Sequence, residues 1–119
     1  MVEQPREIGV EDAMDIVIGW IRLRPGRRDA FWAFVPEYAA AARATPGCII
    51  CELNQSRDDP DVAVVTFAYE TADAHAALVN SPQEARMLAL LDEIGLEGRF
   101  DNFSSEARRT DVLKFPLRS

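Results

Sequence analysis

The chain contains one histidine, His75, and imidazole is the side chain whose ordinary pKa lies closest to neutrality, so it is the first candidate for a general base or donor. Tyr69 and Tyr38 are candidate hydroxyl donors, and Phe34, Phe67 and Leu78 are candidate walls of a substrate pocket around them. His75 and Tyr69 are the catalytic candidates. A set of this kind could move a proton to or from a small bound molecule in a site that excludes water. Each member also has a purely structural reading: a lone histidine on the inner face of a short helix commonly packs and hydrogen-bonds within a core, and a core tyrosine keeps one wet hydroxyl. Trp32 either lines a pocket mouth or covers the helix near Pro36, and Asn80 reads as a linker between helices.

Cys48 and Cys51 have the C-x-x-C spacing of redox and metal sites, but Cys48-Ile49-Ile50-Cys51 reads as a strand. On a regular strand, residues three apart point to opposite faces and lie about 10 Å apart. A disulfide tolerates a Cα separation of only about 7 Å, so two reduced structural thiols are expected. A zinc site would need two further ligands, and His75 is the only histidine. Asp58, Asp59 and Asp61 make an acidic turn and not a calcium loop, because the EF-hand spacing and its closing glutamate are missing. No glycine-rich phosphate loop, G-x-S-x-G elbow or helical histidine pair is present. No metal and no other cofactor is expected.

The balance of 13 basic against 20 acidic residues gives a net charge of −7, which repels phosphate backbones and anionic lipid heads. Nucleic-acid and membrane partners are therefore disfavoured. No apolar run approaches the roughly 20 residues that span a bilayer, and Met1 to Gly9 lacks the basic-then-apolar order of a leader. A soluble cytoplasmic protein is expected. At 119 residues and 48% hydrophobic content, one core of ordinary size is expected.

The elements that must position these side chains follow from periodicity. Residues 1–13 show no period and read as a flexible arm. From Asp15 to Arg24 apolar residues occupy both parities, Val17/Ile21/Leu23 and Ile16/Ile18/Trp20, so this strand is buried on both faces until Pro25-Gly26 ends it. Phe31, Phe34, Val35, Tyr38 and Ala42 then recur at helical spacing up to Thr45, with Asp29 favoured in the first turn and a kink or break expected at Pro36. Cys48 to Gln55 and Val62 to Glu70 read as antiparallel strands joined by a hairpin turn around Asp58-Asp59-Pro60. Thr71 to Val79 reads as a short helix, and Ser81-Pro82-Gln83-Glu84 has the form of a capping box that opens another. That helix presents Met87, Leu88, Leu91 and Ile94, and Gly95 is expected to supply a left-handed stop. Of the last two segments, Arg99 to Ala107 is favoured as a fourth strand and 108–119 as a tail.

Strand, helix, strand, strand, helix pair, strand is the order of an α+β, ferredoxin-like split βαβ domain over residues 14–107, with helices on one face of a four-stranded antiparallel sheet. Ile16, Ile18, Trp20, Val62 and Val64 then face away from the helices, which leaves an apolar patch too large for a soluble monomer. Stacking of two such faces in a homodimer would cover it, with Trp20 as an anchor. The other possibility is that the arm or the tail folds back over this face.

The run Trp20-Ile21-Arg22-Leu23-Arg24-Pro25-Gly26, the aromatic and alanine-rich helix, Pro46-Gly47-Cys48, Asp58-Asp59-Pro60 and Asn80-Ser81-Pro82 together resemble the antibiotic-biosynthesis monooxygenase domain over about Asp15 to Gly95. The resemblance implies a dimeric α/β barrel with a pocket between helices and sheet. It also implies cofactor-independent monooxygenase activity on a small phenolic, quinol or polycyclic aromatic substrate. Aligned on Ser81-Pro82, the family's frequent strand tryptophan falls on Tyr69, its glutamate on Phe67 and its helical histidine on Leu78, so the acid and the histidine are replaced. His75 lies one helical turn before Leu78, on the same face. The alternative is a non-catalytic homodimer that binds a small hydrophobic or aromatic molecule.

Overall fold

The computed structural model describes residues 15–104 and 107–117, so the proposed arm at 1–13 lies outside the described residues. The elements run β1 (Asp15–Leu23), α1 (Arg28–Ala44), β2 (Cys48–Gln55), β3 (Val62–Tyr69), α2 (Ala72–Val79), α3 (Pro82–Ile94), β4 (Gly95–Ser104) and β5 (Arg108–Lys114). All pairings are antiparallel in a five-stranded sheet of order β2-β3-β1-β4-β5, so β1 is central. This is the α+β, ferredoxin-like arrangement with three helices on one face of the sheet.

Parity sets the two faces of the sheet. Val17, Ile21 and Leu23 of β1 and Val65, Phe67 and Tyr69 of β3 join Phe31, Tyr38, Ala42, Leu78, Met87 and Leu91 from the helices in one core. The opposite parity, including Ile16, Ile18, Trp20, Val62 and Val64, points away from the helices. Ile18, Val64 and, on β5, Val112 are 48%, 40% and 56% exposed. Farther out on β4 and β5 the same face turns polar, where Thr110 donates to Asp101 and Lys114 pairs with Glu97.

Four expectations need correction. The four strands are five: Arg108–Lys114 pairs with β4 along its length and is not a tail. Its sequence is polar because it is an edge strand, largely exposed, and so carries little hydrophobic signal. Beyond it, Phe115 enters the core and Leu117 N donates to Asp92 on α3, so the chain through Leu117 does not fold back over the open sheet face. Gly95 is extended (φ −88°, ψ 159°), not left-handed. Its small size is used differently, since a Cβ there would lie 2.8 Å from the Phe115 ring.

Helix α1 runs unbroken through Pro36; proline removes only its own N–H from the ladder, which leaves the Trp32 carbonyl without that bond. Gly47, by contrast, does need glycine. Its φ of 89° ends the turn after α1, and a Cβ would strike Ala74 of α2 at 2.8 Å.

The fourth correction concerns the thiols. The β2/β3 register shifts between Cys48 and Ile50, pairing Cys48 with Tyr69 and Cys51 with Phe67. Three residues of β2 therefore span two of β3, a bulge that turns both cysteines toward the helix-covered face. The expectation of opposite faces assumed an unbroken pleat. Both cysteines are free thiols, Cys51 buried and Cys48 partly so.

Candidate active site

Between the helices and the sheet lies a cavity of about 490 Å³, within the range of small-molecule sites. Val17, Ile21, Val65, Phe67, Leu78, Met87 and Leu91 make most of its wall, and the polar groups are few: Tyr38, Tyr69, His75 and Glu84, with Asn102, Arg109, Thr110 and Asp111 from the β4/β5 side. The candidates His75, Tyr69, Tyr38, Phe67 and Leu78 thus come together. Phe34 does not line the cavity; it packs near Tyr38, with ring centroids 6.3 Å apart, under the guanidinium of Arg86.

His75 is placed by α2, whose start is fixed by Thr71: its side chain caps the helix by accepting from Ala74 N at 3.1 Å. The imidazole stacks on Tyr69, centroids 4.8 Å apart, and Nδ1 lies 3.1 Å from Asp15 Oδ2 at the start of β1. A carboxylate at Nδ1 holds the proton there and directs the lone pair to Nε2. A second hollow of about 290 Å³ adjoins the first, and Asp15, His75, Asn102 and Arg109 help line it. His75 therefore stands in the partition between two spaces.

In the same polar set, the Tyr38 hydroxyl donates to Glu84 Oε2 at 2.5 Å. Burial pushes the Glu84 carboxyl above its ordinary range, against the pull of the Tyr38 hydrogen bond and the nearby His75. Burial likewise raises both phenols, Tyr38 with a further push from Glu84 and Tyr69 with one from the two thiols, so both remain neutral donors. The chemistry available is thus one imidazole oriented by a carboxylate, two neutral phenols and one carboxyl raised by burial, in a mainly apolar chamber. Among the described residues no group of three or more His, Cys, Asp or Glu is placed to hold a metal ion, and no helix is long and apolar enough to cross a membrane.

Sequence reasoning missed Glu84 as a site residue because the capping box accounted for it. Half of that box forms: Ser81 Oγ accepts from Glu84 N at 3.2 Å. The glutamate side chain goes instead to Tyr38. The signal was present, since Glu84, Met87, Leu88 and Leu91 are spaced at i, i+3, i+4 and i+7, which places Glu84 on the apolar face. Asp15 was missed as well, read only as a strand's first residue.

The comparisons with known proteins agree with this architecture. A solved structure from Pseudomonas aeruginosa superposes with a TM-score of 0.72 at 20% identity, covering 80% of this chain and 96% of that one. One from Mycobacterium tuberculosis gives 0.62 at 24% identity, with 88% and 96% covered. A third, an antibiotic biosynthesis monooxygenase, gives 0.65 at 16% identity, with 85% and 97% covered. At such identities the likeness establishes the fold. No curated protein matches the chain in sequence. The sequence profile of antibiotic biosynthesis monooxygenases, however, matches residues 14–89, more than half of the chain. On that match, and with the same fold in hand, this chain belongs to the antibiotic biosynthesis monooxygenase family.

Proposed function

We propose that the protein is a cofactor-independent monooxygenase of a small phenolic, quinol or polycyclic aromatic substrate, with His75 as base. The observation that carries this reading is the Asp15–His75 pair on the wall of a mainly apolar cavity: Nδ1 is taken and Nε2 remains for a substrate hydroxyl. Removal of the phenolic proton leaves an electron-rich phenolate, and the surrounding apolar wall favours its reaction with dioxygen, itself apolar. The electrons come from the substrate. Dioxygen adds at the ring carbon para to the oxygen, the resulting hydroperoxide loses water, and a quinone remains, so that phenol plus O₂ equals quinone plus water. Tyr69, neutral and stacked on His75, serves as a donor to the bound oxygen, and Phe67 and Leu78 as walls.

The working unit in this proposal is a homodimer in a cytoplasmic setting. Ile16, Ile18, Trp20, Val62 and Val64 form a half-exposed apolar face on β1 and β3, which a second copy would cover, and two free thiols suit a reducing compartment. Sedimentation at micromolar concentration tests the dimer. A monomer, or a dimer unaffected by Trp20→Glu, would remove it.

Oxygen uptake with a panel of anthrones and hydroquinones tests the chemistry. Turnover is expected, and His75→Ala should lower it by about 10²- to 10⁴-fold, the usual contribution of a positioned base. Binding of the panel without oxygen uptake would favour a non-catalytic binding protein, and undiminished uptake in the variant would take His75 out of the mechanism.

A further inference from the structure

Glu84 and Tyr38 lie outside the proton transfer assigned to His75, yet they place a carboxylate and a phenol in the same cavity. Among the described residues, the hydrogen bond from Tyr38 occupies Oε2 of the carboxylate, and no other side chain is bonded to Oε1. Helix α3 holds the group from both sides: Ser81 fixes its backbone N–H, and Met87 and Leu91 anchor the next turns in the core. Among the described residues it has no ion-pair partner: Arg86 is turned to Glu37 and the Phe34 ring, and Arg109, on the lining strand β5, to Asp111. A carboxyl buried among mostly apolar side chains with no ion-pair partner is costly unless its oxygens are hydrogen-bonded, and Tyr38 serves only one of the two. Its remaining oxygen can accept a hydroxyl hydrogen, or donate its own proton when protonated. Apolar side chains cannot do either.

We propose that Glu84, steadied by Tyr38, is a specificity-determining group that binds a second hydroxyl of the substrate, distinct from the one presented to His75. The ligand class is then a fused or single aromatic ring system with two hydroxyls, and a monohydroxy aromatic of the same size is discriminated against. Burial of the carboxyl, which favours its protonated form, is compatible with either direction of that hydrogen bond. The inference rests on the cavity being the substrate site, but it is separable from the oxygen chemistry because it concerns binding alone.

The test is anaerobic calorimetry with 1-naphthol and with 1,5-, 1,6- and 2,6-dihydroxynaphthalene as probes. At least one diol is expected to bind the native protein about tenfold more tightly than 1-naphthol, in line with a hydrogen bond to an ionisable group. Glu84→Leu should abolish the preference. Glu84→Gln, which preserves shape, should reduce it severalfold. Tyr38→Phe, which takes away the hydrogen bond that steadies the carboxyl, should also weaken it. Equal affinity of all four probes for the native protein, a preference unchanged in both Glu84 variants, or no binding of any probe would each overturn the proposal. If Glu84→Leu fails to fold, the Gln variant decides. Failure of oxygen uptake with the preference intact would sink the monooxygenase reading and leave this one standing.

Discussion

His75 lies face to face with Tyr69, the ring planes 7° apart, and Tyr69 in turn lies parallel to Phe67 at 3° with centroids 6.3 Å apart. The three rings form a ladder from α2 down onto β3. Asp15 holds the imidazole at its edge while Tyr69 holds its face, so the ring is constrained in both directions in which it could turn.

The Asp15 contact predicts a single tautomer. Because the chain has one histidine, its ¹⁵N shifts can be read without assignment. At pH 8 the native protein should show the Nδ1–H form, and Asp15→Ala a mixture shifted toward Nε2–H, the form imidazole favours in water. A native spectrum dominated by Nε2–H would contradict the geometry at 3.1 Å.

Glu84 predicts a pH dependence of stability. Its carboxyl is raised by burial above the ordinary 4.5, so the folded state binds more protons than the unfolded state between the two values. Stability contributed by this group is therefore full at low pH and declines as pH rises through that window, by at most about 1.4 kcal/mol per pH unit. Glu84→Gln removes the dependence. Urea midpoints from pH 4 upward should show the variant gaining on the native protein as pH rises; parallel curves would mean that folding does not raise the carboxyl.

The two thiols should differ in reactivity. Burial, assisted by Cys48, pushes Cys51 up to about 11 from an ordinary 9.0, against the pull of Arg43, which cuts the thiolate fraction roughly a hundredfold. Burial also raises Cys48, but that side chain is partly exposed. Iodoacetamide at pH 8, followed by peptide mass spectrometry, should label Cys48 first, and both more slowly than free cysteine. Prior labelling of Cys51 would place it nearer solvent than the fold has it.

Ser81→Ala should destabilise the protein by about 1 kcal/mol through loss of the helix cap. Since the same serine fixes the backbone of Glu84, the variant should also weaken discrimination between mono- and dihydroxynaphthalenes. A stability loss with unchanged selectivity would separate the cap from the site.

The central features of the fold were legible because they are written as period. Apolar residues at both parities of β1 and β3 marked strands with two demanding faces, and Ser81-Pro82 marked the start of α3. What escaped had other causes. The bulge at Ile49 leaves no mark in residue type, so the parity of Cys48 was read one step wrong. Strand β5 gains order from pairing with β4 and not from its own composition. His75, Tyr69 and Tyr38 were found by residue type, while Glu84 and Asp15 required knowledge of what stands opposite them, Tyr38 and His75, which are 46 and 60 residues away in the chain.

Gly19, in the middle of β1, is cross-strand from Phe100, and a Cβ built there would lie 2.2 Å from the Arg99 carbonyl and 2.8 Å from the Phe100 ring. Gly98 meets the other edge of the same ring at 2.9 Å. The benzene ring thus reclines on bare main chain, and the chamber above it is deeper by about the thickness of a methyl group. Glycine inside a strand costs it roughly 0.5–1 kcal/mol of backbone entropy, a cost the central strand carries because an alanine at Gly19 would strike the Arg99 carbonyl. The hollow and the weakness have the same origin, and a sheet hardened at this point would lose part of the room in which a guest ring could lie.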